Sequence, residues 1–330
     1  MKRTIAGTQV HPIGLGCMNV AWAYGSPPSE DDSIKLFNKA LDLGYNHLDT
    51  ANIYGKGKSE ELIGKAVKSR RKEFFLASKT GIIVDGPKRG IDCSPKAMTQ
   101  SIEDSLKRLQ TDHIDLFYMH RFDPKVPIAE SVGALKDAID AGKIGAYGVS
   151  EWSSDHIRQA HAVYPMAAVQ TEYSLWTRNV ELGILDTTKE LDIALVAFSP
   201  VARGAICGIM TDPSKLEEKD LRRSHPRFSE ENWPHNLALV EKFVDLAQQA
   251  GITPAQLALQ WVISRGDHIH AIPGTTKIEH MEDNFHALDR PVDADVLQRA
   301  GELINQQTVS GHRYPEVMRN TIDTEDFVNA

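Results

Sequence analysis

The sequence lacks the features that would place the protein in a membrane or on a nucleic acid. No run approaches the roughly 18 consecutive apolar residues that a membrane-spanning helix needs. Acidic residues outnumber basic ones and the formal net charge is −8, so we expect no basic face for nucleic acid. The opening stretch, MKRTIAGTQVHPIG, has no apolar segment, and we expect no signal peptide. Together these absences predict a cytoplasmic protein with neither a nucleic-acid nor a membrane partner.

Cysteine is also scarce, with 3 in 330 residues: Cys17, Cys93 and Cys207. An odd number without close spacing gives neither a disulfide framework nor a zinc motif, which fits a reducing compartment. Histidine is more plentiful, with 13, and His268 and His270 form an H-x-H pair. Because no further clustered ligand accompanies that pair, we expect no metal site.

No break in composition, linker or low-complexity segment divides the chain, so we expect a single domain over residues 1–330. Alternating segments on each side of Ala6-Gly7 predict an N-terminal β-hairpin. After it, β-rich runs alternate with amphipathic stretches of helical spacing. The β-rich runs lie at residues 13–18, 45–51, 73–79, 113–120, 144–150, 167–173, 193–199 and 268–274.

Strands that alternate with helices predict parallel, right-handed βαβ units. Both a doubly wound sheet and a (β/α)8 TIM barrel fit, and the number of strands and their even spacing favour the barrel. A polar loop, residues 211–236, and an extra helix interrupt the rhythm between the seventh and eighth strands. A loop of that length is typical of a lid or binding loop. One more helix is expected after residue 291, before a polar end that contains Tyr314.

Ionisable residues end three consecutive predicted strands, namely Asp49, Lys79 and His120, and Tyr54 follows shortly after Asp49. Active sites of α/β barrels lie at the carboxyl ends of the strands. Each residue alone has a structural explanation, such as a helix cap or a packing contact. Their convergence on one rim favours a catalytic site instead.

These residue types together predict acid catalysis. A buried lysine and a carboxylate keep each other charged, and the ammonium lowers the pKa of a nearby phenol. Tyr54 could then donate a proton to a developing alkoxide while His120 orients the carbonyl oxygen. Because no side chain can supply a hydride, a carbonyl reduction of this kind requires a nicotinamide cofactor.

The set Asp49, Tyr54, Lys79 and His120 resembles the catalytic tetrad of the aldo-keto reductases. The resemblance covers nearly the whole chain, and the branch of the plant perakine reductase and its bacterial relatives looks most similar. It implies NADPH-dependent reduction of an aldehyde or ketone to an alcohol, with the tyrosine as proton donor. Some relatives of this fold are channel-associated subunits with little turnover, so a cofactor-binding regulatory subunit is the alternative. The motifs that carry the resemblance are GVSEWS (148–153), VQTEYSLWTR (169–178), FSPVARG (198–204) and IPGTTKIEHMEDN (272–284).

The usual dinucleotide signatures fail here, because GLGCMN and GKGKSEELIGK each lack a required glycine. The resemblance supplies the cofactor contacts instead. It implies that Ser150 and Gln170 bind the carboxamide, that Phe198 stacks on the nicotinamide, and that Ser199 and Arg203 contact the pyrophosphate. The other implied cofactor-binding residues are Pro200 in the same loop and, around the adenosine end, Gly274, Thr275, Lys277, His280, Asp283 and Asn284.

Two positions depart from the family pattern. Glu151 stands where many members have asparagine, and His280 stands where many hold the adenosine 2′-phosphate with arginine. Lys277 lies one helical turn from His280 and could compensate. We therefore expect NADP(H) to bind better than NAD(H), and equal affinities would contradict this.

Aromatic residues lie on several loops at the same rim, where they could form an apolar pocket above the nicotinamide. A small-molecule carbonyl substrate with an apolar or aromatic body is therefore expected; the oligomeric state stays open. The predicted pocket residues are Trp22, Tyr24, Phe122, Trp152 and Trp176, with Trp233 nearby.

Overall fold

The computed structural model describes residues 3–85 and 88–327. Its centre is an 8-stranded parallel sheet whose neighbouring strands follow chain order. The barrel strands are β3 (Leu15–Gly16), β4 (His47–Asp49), β5 (Phe75–Thr80), β8 (Ile114–Met119), β9 (Ile144–Ser150), β10 (Ala168–Glu172), β11 (Ala194–Phe198) and β12 (Ile269–Ile272). The other strands are β1 (Arg3–Ile5), β2 (Thr8–Val10), β6 (Ile82–Asp85) and β7 (Lys88–Ile91).

The barrel closes between its first and last strands. Parallel bridges join Ile13 to Ala271 and Gly16 to Gly274. Glycine is needed at position 16, because a Cβ there would lie 2.7 Å from the carbonyl oxygen of Ile272. The predicted (β/α)8 barrel is therefore confirmed, and the doubly wound alternative is wrong.

Helices cover the outside of the barrel, and further helices follow the last barrel strand, β12. Most follow a strand, as the alternating pattern predicted. They are α1 (Glu30–Leu43), α2 (Lys58–Val67), α3 (Pro95–Leu109), α4 (Ile128–Asp140), α5 (Ser154–Val163), α6 (Ile184–Glu190), α7 (Trp233–Gln249), α8 (Pro254–Ser264), α9 (Ile278–Phe285), α10 (Ala294–Leu303) and α11 (Glu316–Arg319).

Local sequence signals explain where several helices begin and end. Ser94 caps α3, since its hydroxyl accepts a hydrogen bond from Ala97 N, and Pro95 takes the first helical position. Thr253 and Gln256 form a capping box at the start of α8. Gly142, just past α4, has φ 73°, a left-handed conformation that stops a helix. These caps fix the ends of the helices whose apolar faces pack on the barrel.

The predicted N-terminal hairpin is confirmed, because β1 pairs antiparallel with β2 and Ala6-Gly7 form the turn with φ 49° and 75°. Ile5 and Val10 of this hairpin belong to the apolar cluster inside the barrel, together with Phe75 and Leu116. Full burial of such a side chain stabilises a fold by about 1.5–3 kcal/mol. The hairpin therefore contributes to the barrel's interior core.

The structure adds elements that the sequence pattern did not predict. Several strands are shorter than their apolar runs, and β6 pairs with β7 in a hairpin directly after β5. The predicted polar loop, residues 211–236, contains short 3-10 helices and ends earlier than expected, because α7 begins at Trp233; α8 follows α7. The predicted single domain over 1–330 includes residues 1–2, 86–87 and 328–330, which lie outside the described residues, and it stays a prediction.

Candidate active site

The predicted tetrad lies at the carboxyl end of the barrel, on neighbouring strands. Asp49 ends β4, Lys79 is the second-last residue of β5, and His120 follows β8. Beyond β4 the backbone keeps following β5, since Thr50 N donates to Ala77 O (2.9 Å) and Asn52 N to Lys79 O (3.1 Å). This path carries Tyr54 back over the barrel mouth.

Lys79 is completely buried and forms an ion pair with Asp49. Its ammonium also donates to Thr50 O at 2.7 Å and lies 5.2 Å from the centre of the Tyr54 ring. The other carboxylate oxygen of Asp49 accepts a hydrogen bond from Gln170 Nε2 at 2.7 Å. Both charges are therefore paired and hydrogen-bonded, which burial demands.

Tyr54 and His120 complete the rim. Their ring centres are 6.0 Å apart with nearly perpendicular planes (81°). Both side chains line the cavity described below, as does Asp49, whereas Lys79 lies behind them. A carbonyl oxygen in the cavity would thus meet a phenol and an imidazole, with the ammonium behind the phenol.

The pKa of Tyr54 shifts in the direction opposite to the one expected from the sequence. Burial raises the pKa of Tyr54, and the positive charge of Lys79 lowers it only in part. Burial also raises the pKa of Asp49 against the opposing influence of Lys79. For Lys79, burial alone would lower the pKa, but Asp49 and Tyr54 together outweigh it and leave the pKa raised. Tyr54 is therefore a protonated phenol at neutral pH, with an ammonium held beside it.

One cavity of about 1040 Å³ opens above the tetrad. Its upper wall is the segment after β11, including Thr211, Leu216 and Leu221. This placement gives the long interruption before β12 a direct role in enclosing the cavity, as its length suggested. The lining includes every residue predicted to bind a cofactor: Ser150, Gln170, Phe198, Ser199, Pro200, Arg203, Gly274, Thr275, Lys277, His280, Asp283 and Asn284.

The lining carries hydrogen-bond donors and cationic groups of the kind that a nicotinamide dinucleotide needs. Directly after β11, Ser199, Ala202 and Arg203 have φ of 51°, 53° and 57°, and Gly204 has φ 83°. Left-handed residues cluster at ligand clamps, and the backbone N–H groups of such turns form anion-binding concavities. Lys277 lies across the same cavity as a further cation for phosphate. The residues present therefore suit a phosphate-bearing cofactor.

The predicted aromatic pocket residues separate into two groups. Trp22 and Tyr24 line the cavity, and Trp22 is 42% exposed. Phe122, Trp152 and Trp176 are not in the lining that the described residues form. Trp152 is 1% exposed and packs edge-on against Phe122 at 5.1 Å. The geometry therefore assigns these three to packing, which corrects the expectation that they face a substrate.

Trp176 and Trp233 have structural partners as well. Trp176 lies under the guanidinium of Arg227, 6.0 Å from its ring centre. Trp233 stacks on Phe228 at 5.6 Å, and its indole N–H donates to Thr211 O at 3.0 Å. Trp233 thereby ties α7 to the wall of the cavity.

Glu151, the departure noted in the sequence, faces away from the cavity and anchors the C-terminal segment. Arg313 donates to both of its carboxylate oxygens, at 3.1 and 2.8 Å, and Thr324 donates to one of them at 2.9 Å. Its own backbone is left-handed, with φ 58°. This explains why a carboxylate rather than an amide stands here, because a bidentate arginine is its partner.

A neighbouring carboxylate, Glu172 at the end of β10, pairs with Arg203 at 3.0 Å. Burial alone would raise the pKa of Glu172, but Arg203 and Arg313 outweigh it and lower the pKa. Arg203 also lies over the ring of Tyr314, 5.4 Å from its centre. Arg203 therefore lines the cavity as predicted, but one side of its guanidinium is already held by Glu172.

The cavity lining also contains residues that the sequence did not predict. They include Arg121, beside His120, and apolar residues from the segments that follow β3, β4 and β5. Arg121 could have been suspected from its place at a strand tip, whereas the apolar ones carry no local signal. Three of these apolar lining residues are Met18, Ile53 and Ile82.

The H-x-H pair does not form a joint site. His270 is buried in β12, whereas His268 precedes the strand and meets Thr188 Oγ1 at 3.1 Å. Within residues 3–85 and 88–327, no group of three or more His, Cys, Asp or Glu is placed to hold a metal ion. None of the helices in that part of the chain has the length and apolar character that crossing a membrane requires.

Comparison with known proteins gives consistent matches. The sequence profile of the aldo/keto reductase family matches residues 12–305. Probable aldo-keto reductase 1 of Glycine max is 40% identical over 316 residues, which cover 95% of this chain and 91% of the soybean protein. The NADP(+) aldo-keto reductase yakc of Schizosaccharomyces pombe is 40% identical over 321 residues, covering 95% of this chain and 94% of the yeast protein.

Solved structures agree with the fold. A glycerol dehydrogenase from Gluconobacter oxydans superposes with a TM-score of 0.83 at 27% identity, covering 100% of this chain and 98% of that one. An aldo-keto reductase from Klebsiella pneumoniae, solved in complex with NADPH, gives a TM-score of 0.73 at 26% identity over 95% of this chain and 99% of that one.

Proposed function

The chain belongs to the aldo/keto reductase family, and we propose that it reduces aldehydes or ketones to alcohols with NADPH as cofactor and Tyr54 as proton donor. The observation that carries the proposal is the tetrad itself: Tyr54 lines the cavity while Lys79, paired with Asp49, lies completely buried behind it. The NADP(+) in the name of the yeast relative and the NADPH in the Klebsiella structure support the cofactor. The place of this chain in the perakine reductase branch and its cytoplasmic location stay predictions.

When bound, NADPH supplies the hydride that no side chain can provide. Tyr54 donates its phenolic proton to the carbonyl oxygen as negative charge develops there. Lys79 stabilises the phenolate that remains, and Asp49 keeps Lys79 charged and in place. His120, whose ring lies nearly perpendicular to the phenol, orients the carbonyl oxygen toward Tyr54.

The cofactor would be held along the full length of the cavity. Ser150 and Gln170 lie at the tetrad end, where they would bind the carboxamide, and Phe198 offers a ring face nearby. The left-handed turn after β11 would contact the pyrophosphate through Ser199 and Arg203. At the other end, Lys277 and His280 would contact the adenosine 2′-phosphate and favour NADP(H) over NAD(H).

The test is NADPH oxidation with 4-nitrobenzaldehyde and a small panel of ketones, comparing wild type with Tyr54→Phe. We expect multiple turnovers in wild type and a fall in kcat of about 1000-fold in the variant, since a positioned general acid contributes about 10²–10⁴-fold. NADPH affinity, measured by fluorescence titration, should stay within about twofold, because the substitution removes one hydroxyl and keeps the ring.

Two outcomes would contradict the proposal in different ways. If Tyr54→Phe keeps most of its turnover, another group donates the proton. If wild type binds NADPH tightly but reduces none of the carbonyl compounds, the regulatory-subunit alternative replaces the enzyme.

A further inference from the structure

Arg121 directly follows His120 at the tip of β8 and lines the cavity on the tetrad side. The residue is 6% exposed. Its Nη1 donates to His120 O at 2.6 Å and, at the long distance of 3.5 Å, to Ser150 Oγ. Its buried Nε has no acceptor among the described residues. Much of the hydrogen-bonding capacity of this guanidinium is therefore unused.

Two other arginines of the same cavity show what is missing at Arg121. Arg203 pairs with Glu172 at 3.0 Å, and Arg222 pairs with Asp220 at 2.6 Å. Arg121 forms no ion pair with any carboxylate whose side chain the structure describes. A buried cation without a counter-ion is costly, because burial removes its hydration and the hydrogen bonds to His120 O and Ser150 Oγ replace only part of that interaction.

The position of Arg121 indicates which ligand would supply the counter-charge. The guanidinium acts electrostatically on Tyr54: burial raises the pKa of this phenol, and Arg121 is among the groups that oppose the rise. Phosphate contacts, by contrast, are expected at the loop after β11 and at Lys277, on other parts of the lining. The unpaired cation thus lies on the tetrad side of the cavity, where it acts on the phenol that a substrate's carbonyl group has to reach.

We propose that Arg121 binds the carboxylate of an oxo-acid substrate, a molecule that carries an aldehyde or ketone together with a carboxylate. This rests on the proposed carbonyl reduction at Tyr54. Arginine offers a planar pair of donors that matches a carboxylate, and such charge-assisted bonds are the strong ones in proteins. The apolar body of the substrate would lie against Trp22, Ile53 and Ile82. The expected substrates are therefore apolar aldehydes or ketones that also carry one acidic group.

The test uses two aldehydes of the same size and shape, 4-carboxybenzaldehyde and 4-nitrobenzaldehyde, which differ in the charge of one planar group. The quantity measured is the ratio of their kcat/KM values. Wild type should favour the carboxylate. In Arg121→Leu that ratio should fall about 100-fold, since a hydrogen bond to a charged group contributes about 1.5–3 kcal/mol. Arg121→Lys, which keeps the charge without the planar fork, should lie between the two.

A purely structural role for Arg121 would lower both kcat/KM values and leave their ratio unchanged, and that result would overturn the proposal. The proposal would also be overturned if Arg121→Leu lost NADPH affinity by a factor that explains its whole loss of kcat/KM, because Arg121 would then bind the cofactor.

Calorimetric titration with benzoate in the presence of NADP+ separates this proposal from the proposed function. Benzoate should bind to wild type and lose at least about tenfold in affinity in Arg121→Leu, whereas benzamide should show no such dependence. If wild type reduces neither aldehyde, carbonyl reduction fails, and the titration alone decides about Arg121. Benzoate affinity that is absent, or equal in both proteins, would overturn the carboxylate site.

Discussion

Lys79 with Asp49, and Arg313 with Glu151, are both fully buried ion pairs at the carboxyl end of the barrel. We call the first the catalytic ion pair and the second the tail ion pair. The catalytic ion pair adjoins Tyr54, whose hydroxyl-bearing ring lines the cavity.

The tail ion pair instead joins distant parts of the chain. Arg313 and Glu151 are 162 residues apart, and the backbone N–H of Asp323 also donates to Glu151 O at 3.1 Å. A buried charge pair is thus used in two ways here. One places an ammonium beside a titratable phenol, and the other fixes the C-terminal segment, which contributes Tyr314 and Met318 to the cavity wall.

The largest effect is expected from Lys79→Met. The variant leaves Asp49 buried without its cation, so we expect the free energy of unfolding to fall by about 3–5 kcal/mol. Turnover should fall about 1000-fold or more, because the phenolate left by proton donation loses its stabilising charge. Chemical denaturation and NADPH oxidation measure the two effects.

The double variant Lys79→Met/Asp49→Leu separates those effects. Removing both charges should restore much of the stability, as replacement of buried ion pairs by apolar residues often does. Activity should stay low. Recovery of turnover in the double variant would show that Lys79 acts through stability alone.

Arg313→Met should lower stability by a similar amount, about 3 kcal/mol, but affect chemistry less, by about tenfold or below. The loss should concentrate in the C-terminal segment, which hydrogen exchange of residues 310–327 would report. Arg299→Met is a matched control, because Arg299 and Asp295 form an exposed pair at 3.7 Å. Exposed pairs contribute about 1 kcal/mol at most. Equal effects of Arg313→Met and Arg299→Met would contradict the anchoring role.

Lowering the pH should reduce the free energy of unfolding, because His225, which lies beside Tyr314 in the C-terminal segment, is buried as a neutral imidazole. Burial, followed by the charge of Arg203, lowers the pKa of His225 to about 4 from its ordinary 6.5. A lowered pKa means that the unfolded chain binds the proton more tightly. The stability from neutral His225 is therefore full above pH 6.5 and is lost as the pH falls toward 4.

Other buried histidines contribute to the same acid sensitivity, since the pKa of His47 is also lowered to about 4 by burial. In His225→Leu, the slope of unfolding free energy between pH 6 and 4.5 should therefore decrease by about 1.4 kcal/mol per pH unit rather than vanish. An unchanged slope in denaturation series at several pH values would show that His225 does not titrate this way.

The sequence was most informative where strand ends carry chemistry. Parallel strands converge at one rim of a barrel, so Asp49, Lys79 and His120 could be brought together from their positions alone. The same rule, applied further along the chain, would have indicated Glu151 after β9 and Glu172 at the end of β10.

The sequence did not predict which charged residues pair with each other or which aromatic residues are buried. Nothing local to Arg313 points to Glu151, because the pair forms only when the tail returns to the barrel. Trp152 and Trp176 carry the residue type of a substrate pocket, yet packing turns both away from the cavity. The net pKa direction of Tyr54 was also out of reach, since it depends on how completely the phenol is buried.

The most direct test of the account compares the two phenols that flank Lys79. Its ammonium lies 5.2 Å from the ring centre of Tyr54 and 5.8 Å from that of Tyr118, but of these two only Tyr54 lines the cavity. The measurement is kcat for NADPH-dependent reduction of 4-nitrobenzaldehyde in Tyr54→Phe and Tyr118→Phe. We predict a fall of about 1000-fold for Tyr54→Phe and less than about tenfold for Tyr118→Phe. Comparable losses in the two variants, or a Tyr54→Phe enzyme that retains its turnover, would contradict Tyr54 as the proton donor.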